Sequence, residues 1–176
     1  MGIVIKNVLT SDECDLLISY NKKFYPSSVY NPNTKKMETH SNIRNVFQSH
    51  IELPNWFESR IKEQLSNSGY YLTKSITQHY FLKYTQGTYF KPHRDSAPVG
   101  TATKKITLIV ELSNSTDYSG GEFIIEGESI IRDKGDVILF DSYKLHELKE
   151  VTNGTRLSFV CWILDTQLST YKKSLL

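Results

Sequence analysis

From Tyr70 to the polar tail the chain reads as short β-branched and aromatic runs separated by turn dipeptides, with no convincing helix between them. No other feature constrains the fold as strongly, because strands of this length and spacing bury their apolar faces by closing as antiparallel neighbours in a sandwich. Strands are expected at Ser75 to Tyr84, Thr88 to Pro92, Lys105 to Leu112, Glu122 to Glu126, Ser129 to Arg132, Asp136 to Phe140 and Arg156 to Leu164. Turns at Gly120-Gly121, Gly127-Glu128 and Lys134-Gly135 join antiparallel neighbours. Asn153-Gly154 has the form of a tight hairpin from which Arg156 starts the next strand.

The first part of the chain has a different period. Residues 3 to 5 form a β-branched run, and Thr10-Ser11-Asp12-Glu13 has the form of a capping box ahead of Cys14, Leu16, Leu17 and Tyr20. Pro54 opens a second helical pattern, Trp56, Phe57, Ile61 and Leu65, ending near Asn67-Ser68-Gly69. Between these helices Tyr25 to Asn45 is polar and aperiodic and reads as a loop able to cover a site. The fold class expected is α+β, mainly β: a two-sheet sandwich with N-terminal helices packed on one sheet. One domain of residues 1–176 follows, with helical support over 1–69 and the β core over 70–165.

Composition removes several function classes. A net charge of +2, from 21 basic and 19 acidic residues, demands neither a nucleic-acid nor a membrane partner. Cys14 and Cys161 lie in apolar segments and make no disulfide scaffold, which suits a reducing compartment. The start of the chain lacks a signal-peptide pattern and no apolar stretch reaches membrane-spanning length, so a soluble, cytoplasmic protein is expected.

The chemistry concentrates in four residues. His93 and Asp95 stand two apart, His146 follows after a long interval, and Arg156 comes soon after it. Two imidazoles and one carboxylate hold ferrous iron on one face and leave the other open, the arrangement of non-haem oxygenases. Strand alternation would point His93 and Asp95 to the same side. The hairpin at Asn153-Gly154 would place His146 and Arg156 on neighbouring segments of one sheet. An Arg pointing into the sandwich needs a carboxylate partner, and the far end of a dicarboxylic co-substrate would supply one. His40, His50 and His79 read as surface or satisfied structural histidines, and Tyr89, Phe90 and Trp162 as core aromatics.

The order Tyr84, Gly87, Tyr89, His93-Arg94-Asp95, the apolar strand Ile106 to Leu112, Gly120-Gly121-Glu122-Phe123, Lys134-Gly135-Asp136, Phe140, His146, Val151, Gly154, Arg156 and Trp162 resembles the iron(II)- and 2-oxoglutarate-dependent dioxygenases. More narrowly it is similar to the prolyl 4-hydroxylase superfamily and its small microbial PKHD-type members, over about residues 75 to 165. The resemblance implies a double-stranded β-helix, or jelly roll, and the use of Fe(II), 2-oxoglutarate and O2, with ascorbate as the customary reductant. It implies that His93, Asp95 and His146 ligate iron and that Arg156 binds the distal carboxylate of 2-oxoglutarate. Tyr84 would bond a carboxylate oxygen, and Thr107 or Leu108 would line the co-substrate pocket. Lys149-Glu150-Val151 departs from the family's frequent Pro before Val. The implied reaction hydroxylates a C–H bond, of a prolyl residue in a peptide or protein, and releases succinate and CO2. A free amino acid or other small metabolite is the alternative substrate, and a non-catalytic metal-retaining binding module is the alternative function. Nucleic-acid demethylases of the same fold carry a second Arg six residues after the first, where this chain has Trp162. A monomer or weak dimer is expected.

Overall fold

The computed structural model describes residues 2–20, 23–31, 34–39, 42–67, 71–73, 76, 78–96, 104–164 and 168–169. The chain opens with β1 (Ile3–Ile5) and turns into α1 (Ser11–Ser19). The expected capping box is present: the Thr10 hydroxyl accepts the Glu13 amide at 3.2 Å, and the Glu13 carboxylate accepts the Thr10 amide at 2.8 Å. Where the sequence suggested a loop, short strands form instead: β2 (Tyr25–Pro26), β3 (Val29–Asn31), β4 (Lys36–Glu38) and β5 (Arg44–Asn45), with β6 (Phe47–Ser49) just beyond. They lack a periodic apolar pattern because most of them are pinned by backbone pairing to longer strands. The second helix, α2 (Asn55–Asn67), follows Pro54 and buries Phe57, Ile61 and Leu65 completely. The proposed helix stop at Ser68-Gly69, together with Ser75, His40 and residues 97–103, lies outside the described residues.

The remaining strands are β7 (Tyr71–Leu72), β8 (Gln78–Thr85), β9 (Tyr89–His93), β10 (Lys104–Glu111), β11 (Tyr118–Gly120), β12 (Phe123–Ile125), β13 (Glu128–Ser129), β14 (Val137–Asp141), β15 (His146–Leu148), β16 (Val151–Leu164) and β17 (Leu168–Ser169). A large antiparallel sheet runs β1-β14-β10-β16-β8-β6-β2, with β11 also paired to β16. A smaller one runs β13-β12-β15-β9-β5. The strand expected at Ser129 to Arg132 shortens to Glu128–Ser129.

Alternation along the large sheet sorts its residues into two environments. Leu108, Val110, Phe159, Cys161, Ile163 and Phe81 pack against Cys14 and Leu17 of α1 and Phe57, Ile61 and Leu65 of α2. Their neighbours Ile109, Val160, Leu82 and Tyr84 form a second cluster with Phe123, Ile125 and Leu148 of the small sheet. The helices thus cover the outer face of the large sheet, and the small sheet covers its inner face.

Asn153-Gly154 is not a turn. Both residues lie inside β16 and pair with β11, Ser119 opposite Asn153 and Tyr118 opposite Gly154. Gly154 is required there for a different reason: its φ is +74°, and a Cβ would collide with the Asp117 carbonyl oxygen. The change of direction falls at Lys149-Glu150, where the chain leaves β15 in the small sheet and enters β16 in the large one. His146 and Arg156 therefore sit on different sheets, and the expectation that they share one is corrected.

Candidate metal centre and its cavity

β9 and β15 pair with His93 directly opposite His146, so two sequence-distant imidazoles meet by strand register. Their centroids lie 4.2 Å apart. Each ring offers Nδ1 to the carbonyl two residues earlier, His93 to Lys91 at 2.7 Å and His146 to Lys144 at 2.9 Å. An Nδ1–H held in this way leaves the Nε2 lone pair free, which is the tautomer a metal needs. Burial first, and then the neighbouring His146, push the His93 pKa from 6.5 down to about 4. Its imidazole is thus neutral at physiological pH.

Asp95 reaches the same point by another route. β9 ends at His93, so strand alternation does not carry through to Asp95 as the sequence suggested. Its backbone N–H donates instead to the Ser142 carbonyl at 2.9 Å, and its carboxylate accepts the Thr107 hydroxyl at 2.7 Å. Ser142 Oγ lies 3.0 Å from Thr107 Oγ and continues the chain. Burial opposes the charged form of Asp95, but His146, the Trp162 indole, His93 and Thr107 outweigh it and hold the carboxyl below its ordinary range. The indole N–H lies near enough to favour the carboxylate, yet no oxygen meets it in hydrogen-bond geometry.

One donor atom from each of His93, Asp95 and His146 lies within 4.8 Å of the others. His146 Nε2 is 3.4 Å and His93 Nε2 3.8 Å from the Asp95 oxygens. Adjacent donors around a first-row divalent ion bound at about 2.1 Å stand roughly 3 Å apart. The three groups could therefore hold one such ion, and the two imidazoles with one carboxylate suit ferrous iron.

These residues line one cavity, part of it open to solvent. Its walls come from both sheets and include Tyr84, Thr107 and Arg156 as well as Phe90 and Trp162. Phe90 is a working wall and not plain core, since it stacks on His93 with centroids 3.5 Å apart. Trp162 likewise lines the cavity while packing against the inner core cluster. Of the pair left open at the next position, Thr107 faces the cavity while Leu108 points into the outer core. Thr107 also bonds the Asp95 carboxylate, a position more intimate than a pocket wall. His79 is a buried structural histidine that is only half satisfied: its Nε2 lies 2.8 Å from the Ile51 carbonyl, while its Nδ1 is buried without a hydrogen-bond partner.

Arg156 is 2% exposed, with its guanidinium carbon 5.3 Å from the centre of the Tyr84 ring. The sequence suggested that its partner would come from a ligand, but the chain itself supplies one. Arg156 Nε and Nη2 both donate to Glu111 Oε2, at 3.0 and 2.7 Å. Arg132 Nε donates to the same oxygen at 2.8 Å. Two guanidiniums against one carboxylate leave a net positive charge, and among the described residues Arg156 Nη1 has a long 3.3 Å contact to Ser158 Oγ, with the Tyr118 hydroxyl also near the fork. An edge of the Arg156 fork thus remains for an anion. Glu111 and Arg132 were not singled out from the sequence. The signal was present in Glu111, a charge on the inward face of an otherwise apolar strand, where burial requires a partner.

Residues 79–164 match the family model described as the 2OG-Fe(II) oxygenase superfamily. A PKHD-type hydroxylase of Idiomarina loihiensis is 31% identical over 94 residues, covering 51% of this chain and 43% of that protein. A PKHD-type hydroxylase of Aliarcobacter butzleri is 28% identical over 151 residues, covering 77% of this chain and 67% of its own length. The chain therefore spans less than half of the Idiomarina relative and about two thirds of the Aliarcobacter one. Among solved structures, a viral collagen prolyl hydroxylase of Paramecium bursaria Chlorella virus-1 superposes with a TM-score of 0.69 at 21% identity, covering 93% of this chain and 95% of that one. A prolyl-4-hydroxylase of Pseudomonas putida gives 0.65 at 16%, covering 92% and 91%. These two likenesses speak for the fold. With the family model and the PKHD-type relatives beside them, the segment 79–164 is similar to the 2OG-Fe(II) oxygenase superfamily, and the curated relatives it matches are PKHD-type hydroxylases.

Proposed function

We propose that this chain is an Fe(II)- and 2-oxoglutarate-dependent hydroxylase, in which His93, Asp95 and His146 hold iron and Arg156 holds the far carboxylate of the co-substrate. The observation that carries the reading is one cavity that joins the three-donor cluster, mostly from one sheet, to a buried guanidinium with an unfilled edge on the other. We read the two sheets as a double-stranded β-helix and residues 1–176 as one domain. Bound together, the metal and 2-oxoglutarate would supply the oxidising chemistry that uses O2 to hydroxylate a C–H bond and yields succinate and CO2.

The chain's own residues do the rest. The Lys91 and Lys144 carbonyls fix both imidazoles with Nε2 inward, and Thr107 orients the Asp95 carboxylate. Glu111 and Arg132 set the direction of Arg156, whose remaining edge suits a carboxylate. Tyr84, fully buried beneath that guanidinium, is placed to offer its hydroxyl to the same oxygens; burial, ahead of the neighbouring guanidiniums, raises its pKa and keeps the proton on. Leu82, Ile109, Phe123, Leu148 and Val160 give the cavity an apolar lining between the two sheets.

For the substrate, the likeness to prolyl hydroxylases favours a prolyl residue of a peptide or protein, with ascorbate as reductant and a free amino acid as the alternative. Purified protein with Fe(II), ascorbate and 2-oxoglutarate under air should release succinate and add one oxygen atom to a candidate proline-containing peptide. Failure to bind Fe(II), with no succinate formed at any time, would sink the reading.

A further inference from the structure

Arg156 shares its carboxylate partner with a second guanidinium, and the scheme above gives that second one only a directing role. Glu111 is wholly buried, and its Oε2 accepts from Arg156 Nε, Arg156 Nη2 and Arg132 Nε. Its Oε1 is buried too and meets no hydrogen-bond donor among the described residues. Arg132 is also held from its far side, Nη1 donating to the Ile130 carbonyl at 3.1 Å and Nη2 to the Gly121 carbonyl at 2.8 Å. Among the described residues Arg156 belongs to the cavity wall, whereas Glu111 and Arg132 do not. What these two contribute inside the cavity is therefore charge and direction, not contact.

A guanidinium fully paired to a carboxylate is electrically neutral as a unit. With Glu111 alone, Arg156 would present such a unit to the cavity, and the unpartnered Oε1 would stand as negative charge near the fork, against an arriving anion. Arg132 changes the balance, because two guanidiniums against one carboxylate keep one positive charge. The other groups beside the fork leave that count intact. Ser158 is neutral, and burial, ahead of every other influence, raises the pKa of Tyr84 and of Tyr118 and keeps both protons on. Burial first, and then the charge of Arg156, lower the Arg132 pKa, so the two guanidiniums feel each other, yet a guanidinium stays protonated at physiological pH.

We infer that Arg132 is a specificity-determining residue for the co-substrate: by offsetting Glu111 it leaves Arg156 the positive charge that selects a second carboxylate. This rests on the dioxygenase reading, and it assigns the choice of a dicarboxylic co-substrate to a residue outside the cavity. Glu111 takes the side of the fork formed by Nε and Nη2 and so fixes where the other side points. Arg132 then returns the charge that this fixing cancels. Each residue fails alone, since without Glu111 two like charges share a desolvated place, and without Arg132 the fork is directed but neutral.

The test measures binding, by calorimetry on protein loaded with Mn(II), of 2-oxoglutarate and of 2-oxopentanoate, the same chain with a methyl group in place of the far carboxylate. At an effective dielectric constant of about 20, loss of a unit charge about 8–12 Å from a carboxylate weakens its binding roughly tenfold to thirtyfold. Arg132→Gln should therefore weaken 2-oxoglutarate at least about tenfold, and adding Glu111→Gln to it, which restores the net charge, should recover affinity to within about threefold of the parent. Arg132→Lys, which keeps the charge and loses the fork, should also stay within about threefold. Glu111→Gln alone, whose amide oxygen still accepts from both guanidiniums, should bind 2-oxoglutarate no more weakly than the parent, an arm that stands even where Arg132→Gln does not fold. Mn(II) and 2-oxopentanoate should bind every variant as they bind the parent. Unchanged 2-oxoglutarate affinity in Arg132→Gln, a double variant no tighter than the single one, a Lys variant as weak as the Gln variant, weaker binding in Glu111→Gln, or an equal loss for Mn(II) or 2-oxopentanoate would overturn the inference. Failure of 2-oxoglutarate to bind the parent would instead overturn the reading on which it rests.

Discussion

The two faces of β16 make different demands on the same strand. On its outer face Phe159, Cys161 and Ile163 are fully buried against the helices, and Phe159 meets Phe57 and Phe81 edge to face. On its inner face Arg156, Ser158, Val160 and Trp162 line the cavity. The outer face makes the sheet stable and the inner face makes it reactive, with one residue of spacing between the two roles. The comparison teaches that one strand carries packing on one face and cavity groups on the other, so substitutions on the two faces should separate function from stability.

The largest separation should come from the inner side. His93→Ala or Asp95→Ala should abolish iron binding and turnover while thermal unfolding of the metal-free protein stays near that of the parent; unchanged succinate formation would remove either residue from the site. Arg156→Ala should weaken 2-oxoglutarate on the order of a hundredfold, the worth of a bidentate charged pair, with iron affinity nearly unchanged. Equal loss of both would mark Arg156 as purely structural. From the outer side, Phe159→Ala should cost about 3–5 kcal/mol in denaturant unfolding, yet the protein that remains folded should bind iron and co-substrate normally. Loss of binding in that folded fraction would break the comparison. A smaller effect belongs to Thr107→Val, which removes the hydroxyl bonded to Asp95 and should lower iron affinity roughly 10–100-fold without altering the melting temperature much.

The smallest effect concerns pH and the outer layer. His79 lies near Phe159, and its pKa is lowered, chiefly by burial. The unfolded chain therefore takes up this proton first as pH falls below about 6.5, so stability drops from there until the lower folded pKa is passed. The slope from this group is at most about 1.4 kcal/mol per pH unit. In His79→Phe the fall in melting temperature between neutral and mildly acidic pH should be shallower than in the parent, and an identical fall would show that His79 titrates normally.

The outer face was the legible one. Helical spacing in Phe57, Ile61 and Leu65, the Thr10 capping box and the apolar strand Ile106 to Leu112 are local patterns, and the structure realises them locally. His93, Asp95, His146 and Arg156 were visible as residue types. Their assembly was not, because it depends on the register of β9 against β15 and on Ser142 holding Asp95, contacts that no spacing encodes. Asn153-Gly154 misled for a physical reason: close approach of another backbone and a tight turn both select glycine at positive φ. Arg44 stayed hidden as a cavity residue in an aperiodic stretch, on the two-residue β5 whose partner is the longer β9.

The crossing at Lys149-Glu150 has one more consequence. It puts both imidazoles on the small sheet and the guanidinium on the large one, so the span between them is set by how closely two sheets pack and not by any one strand. Leu148 and Phe123, wedged between the sheets, act as the shims of a caliper. On the proposed reading its jaws would gauge the number of carbons between the two acid groups of the co-substrate, and trimming a shim should shift the length of diacid that fits.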